Sequence, residues 1–148
     1  MGAGGAIGSL ELNELQRAVL SAVLEGSPLP GRNEPTELPD LPLVAGGPIV
    51  LVAEENLSGP LGDVSGVKLI RVAPEREIAA RAGVTGDVAY LAFGPVEPDG
   101  DDVAFRLDAR LASSTSAAPT LTLSGLLLRF RETPEGWRAA EQPALSAV

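Results

Sequence analysis

Residues 103–112 read VAFRLDARLA, and this stretch decides the fold. Val103, Phe105, Leu107, Ala109 and Leu111 alternate with Ala104, Arg106, Asp108, Arg110 and Ala112. Successive side chains of a strand point to opposite faces, so a period of two predicts a strand with one dry face and one charged face. After a Ser/Thr/Ala loop ending at Pro119, Leu121 and Leu123 keep odd parity, whereas Leu126, Leu128 and Phe130 are even. One extra residue reconciles the two sets, which predicts a β-bulge near Ser124 and Gly125 in a partner strand running from Thr120 to Arg131. A bulge bends and twists its strand, so the sheet is expected to be curved. The turn from Thr133 to Gly136 then delivers a last strand beginning at Trp137.

Upstream, Asp87 to Phe93 reads as a strand, and Pro98-Asp99-Gly100 turns the chain back. Pro74 at a first helical position and Gly83 just past the last predict a short helix over 74–82 with a small apolar face of Ile78, Ala79 and Ala82. Val67 to Val72 is rich in β-formers, and Ile49 to Ala53 is a continuous apolar run that suits a strand buried on both faces. Leu12, Leu15, Val19, Ala22 and Val23 recur at helical spacing, with Glu11, Glu14, Arg17, Ser21 and Glu25 mostly opposite. Residues 10–25 therefore form an amphipathic helix, capped by Ser9 or Asn13 and stopped by Gly26. Between helix and first strand, residues 27–48 hold six of the thirteen prolines and read as a wrapping loop. The expected organisation is a flexible tail over 1–9, one α+β domain over 10–142, and a frayed end over 143–148. In that domain an N-terminal helix and a short second helix pack on a curved, mainly antiparallel sheet of about six strands.

Composition bounds the chemistry. The chain has 148 residues, 45% of them hydrophobic and 21% charged. A chain of that length closes one core without metals or disulfides. There is no cysteine and no histidine, which removes disulfides, thiolate catalysis, the usual general base and the commonest metal ligands. No cofactor and no metal are expected, and any catalysis falls to Asp, Glu, Tyr, Ser, Lys or Arg. Twenty acids against eleven bases give a formal charge of −9, with no basic cluster, so neither nucleic acid nor an anionic membrane is an expected partner. Met1 to Ser9 lacks the charged and apolar regions of a signal peptide, and the apolar runs 48–53 and 88–93 fall far short of the roughly 20 residues of a membrane span. The expectation is a soluble protein, cytoplasmic or exported with its signal removed.

The order of helix, two strands, short helix and antiparallel meander resembles the nuclear transport factor two-like domains and, less closely, the cystatin-like ones. The helix at 10–25, the bulged strand Thr120 to Arg131 and the Gly136-Trp137 start of the final strand carry this architectural resemblance. It implies helices wrapped around a strongly bent sheet that encloses a conical pocket, used for isomerisation, dehydration, epoxide hydrolysis, ligand binding or dimerisation. The chain departs from the pattern where the proline-rich loop stands in place of a second N-terminal helix.

The candidate residues follow from both readings. Arg106, Asp108 and Arg110, with Arg129 and Arg131 on the neighbouring strand, resemble the Asp-Arg arrangement of the epoxide hydrolases of that broad group. An aspartate between guanidiniums could activate water while an arginine orients a polar substrate. The simpler reading is a solvated face whose cross-strand ion pairs keep the sheet soluble. Glu54 and Glu55 end the most apolar strand, where desolvation can tune a carboxyl group, although a strand-end acid in water is the plainer case. Tyr90, in an apolar strand, could donate to a substrate oxygen, as the resemblance to isomerases implies; more often such a phenol sits at the rim of a core. Phe93, Phe105, Phe130 and Trp137 could line a pocket for an apolar ligand, yet five aromatics are barely enough to fill one core. Two functions stand against each other. One is a ligand-binding or protein-interaction module with a modest apolar cavity, taking a small apolar molecule or forming a homodimer. The other is a cofactor-free hydrolase, isomerase or lyase using Glu54, Asp108 or Tyr90 as acid and base and Arg106 or Arg110 to polarise substrate.

Overall fold

Strand alternation sorts the apolar side chains of this chain onto two faces of one sheet, and each face receives its own helix. The computed structural model of the protein describes residues 7–32, 49–61, 69–113, 121–140 and 144–146. The first part of the expected tail, most of the proline-rich loop, residues 62–68 with the first two residues of the expected second strand, and most of the loop ending at Pro119 lie outside the described residues. In chain order the elements are α1 (Ser9–Glu25), β1 (Ile49–Ala53), β2 (Leu69–Ala73), α2 (Glu75–Thr85), β3 (Val88–Phe93), β4 (Glu97–Asp99), β5 (Asp102–Ala112), β6 (Leu121–Thr133), β7 (Gly136–Ala139) and β8 (Ala144–Ser146). Two helices on a curved, mixed sheet make an α+β fold.

The strand order is β2-β1-β3-β5-β6-β7, with β4 beside β5 and β8 beside β6. Strand β1 runs parallel to both β2 and β3, and the pairings from β3 onward are antiparallel. The parallel portion has a physical origin in α2. Parallel neighbours need a crossover, and α2 carries the chain from β2 over β1 to β3.

On the first face, Val50, Val52, Leu91, Phe93, Phe105, Leu107, Leu126 and Phe130 meet Leu15, Val19, Leu20 and Val23 of α1 in the main core. Each such side chain contributes roughly 1.5–3 kcal/mol by leaving water. Gly8 is the N-cap of α1, with its N–H donating to Glu11 Oε1 at 3.1 Å, so Ser9 is the first helical residue and not the cap. Gly26 ends the helix at φ 75°, where a side chain would be strained. Gln16 faces inward on α1 and is fully buried. Its amide donates to the Asn56 carbonyl at 2.8 Å and accepts from the Ser58 N–H at 3.0 Å, fastening α1 to the loop after β1. Asn56 takes φ 67° there, a conformation asparagine tolerates, and its side chain donates to the Phe93 carbonyl.

The second face holds a smaller core of Ala53, Tyr90, Ala92 and Ala112 under Ile78 and Ala82 of α2. This helix differs from the expected one at both ends. Pro74 is its N-cap, and Gly83 lies inside it because the run continues to Gly86, whose N–H donates to the Ala82 carbonyl. One further boundary, at the C-terminal end, is corrected, and the bulge falls beside Ser124 as expected. Ala109 pairs with Ser124 and Arg110 with Thr122, so the bulged residue is Leu123 and Gly125 stays in register opposite Asp108. Ala144–Ser146, expected to fray, pairs with β6 from Gly125 to Leu127. The first described residues of the proline-rich segment strap β7: the Ala139 N–H donates to the Pro30 carbonyl at 2.8 Å, and Leu29 is buried.

Candidate functional site

The even-numbered side chains of β5 point to the face that α2 partly covers, so the charged row meets the first turn of that helix. Glu75 is the first residue of α2, and its Oε2 accepts from the Tyr90 hydroxyl at 2.6 Å and from Arg110 Nη1 at 2.7 Å. Arg110 Nη2 reaches Asp108 Oδ2 at 3.3 Å. On the other side of the same carboxylate, Arg106 donates to Asp108 Oδ1 through Nη2 at 3.0 Å and Nε at 3.3 Å. The result is one chain of contacts from Tyr90 through Glu75, Arg110 and Asp108 to Arg106. It ties α2 to β3 and β5.

Asp108 is 6% exposed, so the expected solvent-face row is buried at its centre. Gly125 makes that possible. A Cβ built on it would land on Asp108 Oδ1 and lie 2.8 Å from Arg106 Nη2, so the ion pair lies across a strand position that only glycine leaves empty. Burial works against the charge of Arg110. Its hydrogen bond to Glu75 and the charge of that carboxylate, with contributions from Tyr90 and Asp108, outweigh the cost and hold the guanidinium above its ordinary pKa. Arg110 Nε is nonetheless buried without a hydrogen-bond partner. Towards the far end of β5, Arg131 donates to the buried Asp102 at 2.8 Å and Arg129 pairs with Asp99 at 2.7 Å.

Of the sequence-derived catalytic set, Tyr90, Asp108, Arg106 and Arg110 come together in this cluster. Glu54 does not: it is exposed at the end of β1, where its backbone N–H donates to the Ala73 carbonyl. Its neighbour Glu55 accepts from the Glu75 N–H at 3.2 Å, at the N-terminus of α2 where a carboxylate is favoured by the helix dipole. Phe93, Phe105 and Phe130 lie in the main core under α1, their ring centroids 5.9 and 5.6 Å apart. Trp137 belongs to the edge of that core, donates from Nε1 to Glu11 Oε2 at 3.2 Å, and borders a cleft of about 250 Å³ between α1 and β7. Sequence reading missed Glu75 and Gly125. An acid in a first helical turn is common enough to hide Glu75, and a glycine beside a bulge gives no sign of the space it leaves for Asp108 and Arg106.

Among the described residues, no three acidic side chains converge as a metal-binding group, and no helix is long and apolar enough to cross a membrane. Compared with protein-family profiles, curated proteins and solved structures, the chain matches none of them. The resemblance read from element order also meets a difference in layering, since α1 and α2 stand on opposite faces of the sheet and do not share one concave face.

Proposed function

We propose that this chain is a binding module and not an enzyme, acting on a small apolar ligand or a protein partner. The observation that supports this reading is the state of Asp108. Both of its oxygens accept hydrogen bonds from arginine, Oδ1 from Arg106 and Oδ2 from Arg110. A general base needs an open path to the proton it removes, whereas Asp108 is 6% exposed and its two oxygens face the guanidiniums that flank it. The cluster then serves as a clamp between α2 and the sheet.

A second reading, hydrolysis or isomerisation at the same cluster, has one observation in its favour. The buried, unpartnered Nε of Arg110 is the kind of donor that a substrate oxygen would meet. The two readings separate in one experiment on the wild-type chain: turnover assays with esters, epoxides and enolisable ketones, run beside backbone-amide NMR titration with the same compounds. Binding without turnover is the expected result. Turnover that disappears in folded Asp108→Asn protein would overturn the binding reading.

A further inference from the structure

From the small cavity at the sheet edge we infer a binding site for a small apolar carboxylate, formed between β2 and α2. This inference deepens the binding reading and rests on it. The cavity has a volume of about 120 Å³ and is lined by Leu51, Val72, Ala73 and Ile78 together with Arg71, Glu77 and Arg81. Its construction follows from register. Leu51 pairs with Arg71 and Ala53 with Ala73 in the parallel β1–β2 ladder, so Arg71 shares the α2 face with the apolar floor. On α2, Ile78 points down into the second core while Glu77 and Arg81, one turn apart, flank it.

The floor is apolar and the rim is cationic. Neither Arg71 nor Arg81 has a hydrogen bond or ion pair from its guanidinium among the described residues, in contrast to Arg106, Arg110, Arg129 and Arg131. Two guanidiniums unpaired among the described residues, against one carboxylate and in a chain of net charge −9, make a local site for an anion. The volume sets the size of the apolar part, since about 120 Å³ is somewhat less than the roughly 150 Å³ cavity that holds benzene. A short branched carboxylic acid is of that scale, with its carboxylate at the arginines and its hydrocarbon on Leu51, Ala73 and Ile78. The same chemistry occurs in a free short-chain acid and in the C-terminal residue of a peptide ending in leucine.

The test is an amide NMR titration of the full chain with isovalerate, with isovaleramide as the neutral match and N-acetyl-leucine as the peptide-end arm. Saturable shifts are expected at Arg71, Val72, Ile78 and Arg81. Affinity should fall by roughly tenfold or more for isovaleramide, and likewise in Arg71→Gln and Arg81→Gln, the loss expected with a charge-assisted hydrogen bond. Tighter binding of N-acetyl-leucine identifies a peptide end as the source, and tighter binding of isovalerate a free acid; either supports the site. Equal binding of acid and amide, or no saturable shift at these residues with either acid, overturns it. Saturable shifts confined to the Trp137 cleft also overturn this site while leaving the binding reading intact. Asp108-dependent turnover of the substrate panel overturns that reading itself.

Discussion

Gly125 is the residue on which the charged cluster depends. Its missing side chain lets Asp108 and Arg106 lie over β6, and any larger residue must push one of them out of position. Gly125→Ala is expected to destabilise the protein by about 1–3 kcal/mol, the usual range for overpacking, as measured by urea unfolding. A change below about 0.5 kcal/mol, the scatter of neutral surface substitutions, would mean that the ion pair is not held as described. At the far end of the same face, the hydrogen bond from Arg131 holds Asp102 below its ordinary pKa of 3.8, against the opposing effect of burial and helped by the charges of Arg131 and Arg129. A lowered carboxyl pKa contributes stability that is present above the unfolded value and lost as pH falls through the folded one. The stability gap between wild type and Arg131→Gln is therefore expected to be full near neutral pH and to close as pH falls below about 4, as followed by thermal unfolding across pH. A gap of constant size at all pH values would contradict the pairing. The sequence shows Arg106, Asp108 and Arg110 as a row because their spacing is local. Glu75 joins them from 35 positions away from Arg110, and nothing in its neighbourhood announces that contact.

At the scale of elements, legibility tracks how local the signal is. Strand β5 reports itself by alternation, and α1 by the spacing of Leu15, Val19 and Val23 with Gly26 at its end. The parallel part of the sheet was missed although a strand, a helix and a strand in succession, over 67–93, carry the signature of a crossover unit. The end of α2 was misplaced because Gly83 looks like a stop signal. The packing of Ala82 before it and the local backbone bond from the Gly86 N–H to the Ala82 carbonyl after it carry the helix past that residue. Gly83 has no positive φ, and a Cβ there would meet nothing within 4 Å. Gly83→Ala is thus expected to stabilise the protein by about 0.5–1 kcal/mol in urea unfolding, the helix-interior difference between the two residues. Destabilisation would place a helix end at Gly83 after all. Strand β8 escaped notice for a different reason: three residues with no alternating pattern give no periodic signal, and only the edge offered by β6 organises them.

For the whole molecule, the decisive feature is a sheet with a helix on each face. Phe93, Phe105 and Phe130 fill the α1 core while Trp137 stands at its edge beside a cleft, and the charged row is drawn under the start of α2. A fold that uses its polar cluster to join layers leaves its surfaces and clefts for recognition, which is the basis for reading the chain as a binding module. The fold class was legible because hydrophobic periodicity is a global property of the chain. The assembly of the cluster was not, since it depends on which face a helix covers. The most direct test is Asp108→Asn, examined by urea unfolding and by turnover of the ester, epoxide and ketone panel. The account predicts a loss of about 1–3 kcal/mol, the cost of weakening a buried charged hydrogen-bonding group, with no activity in either protein. A variant that keeps wild-type stability but abolishes a measurable wild-type turnover would contradict it and make Asp108 a catalytic residue.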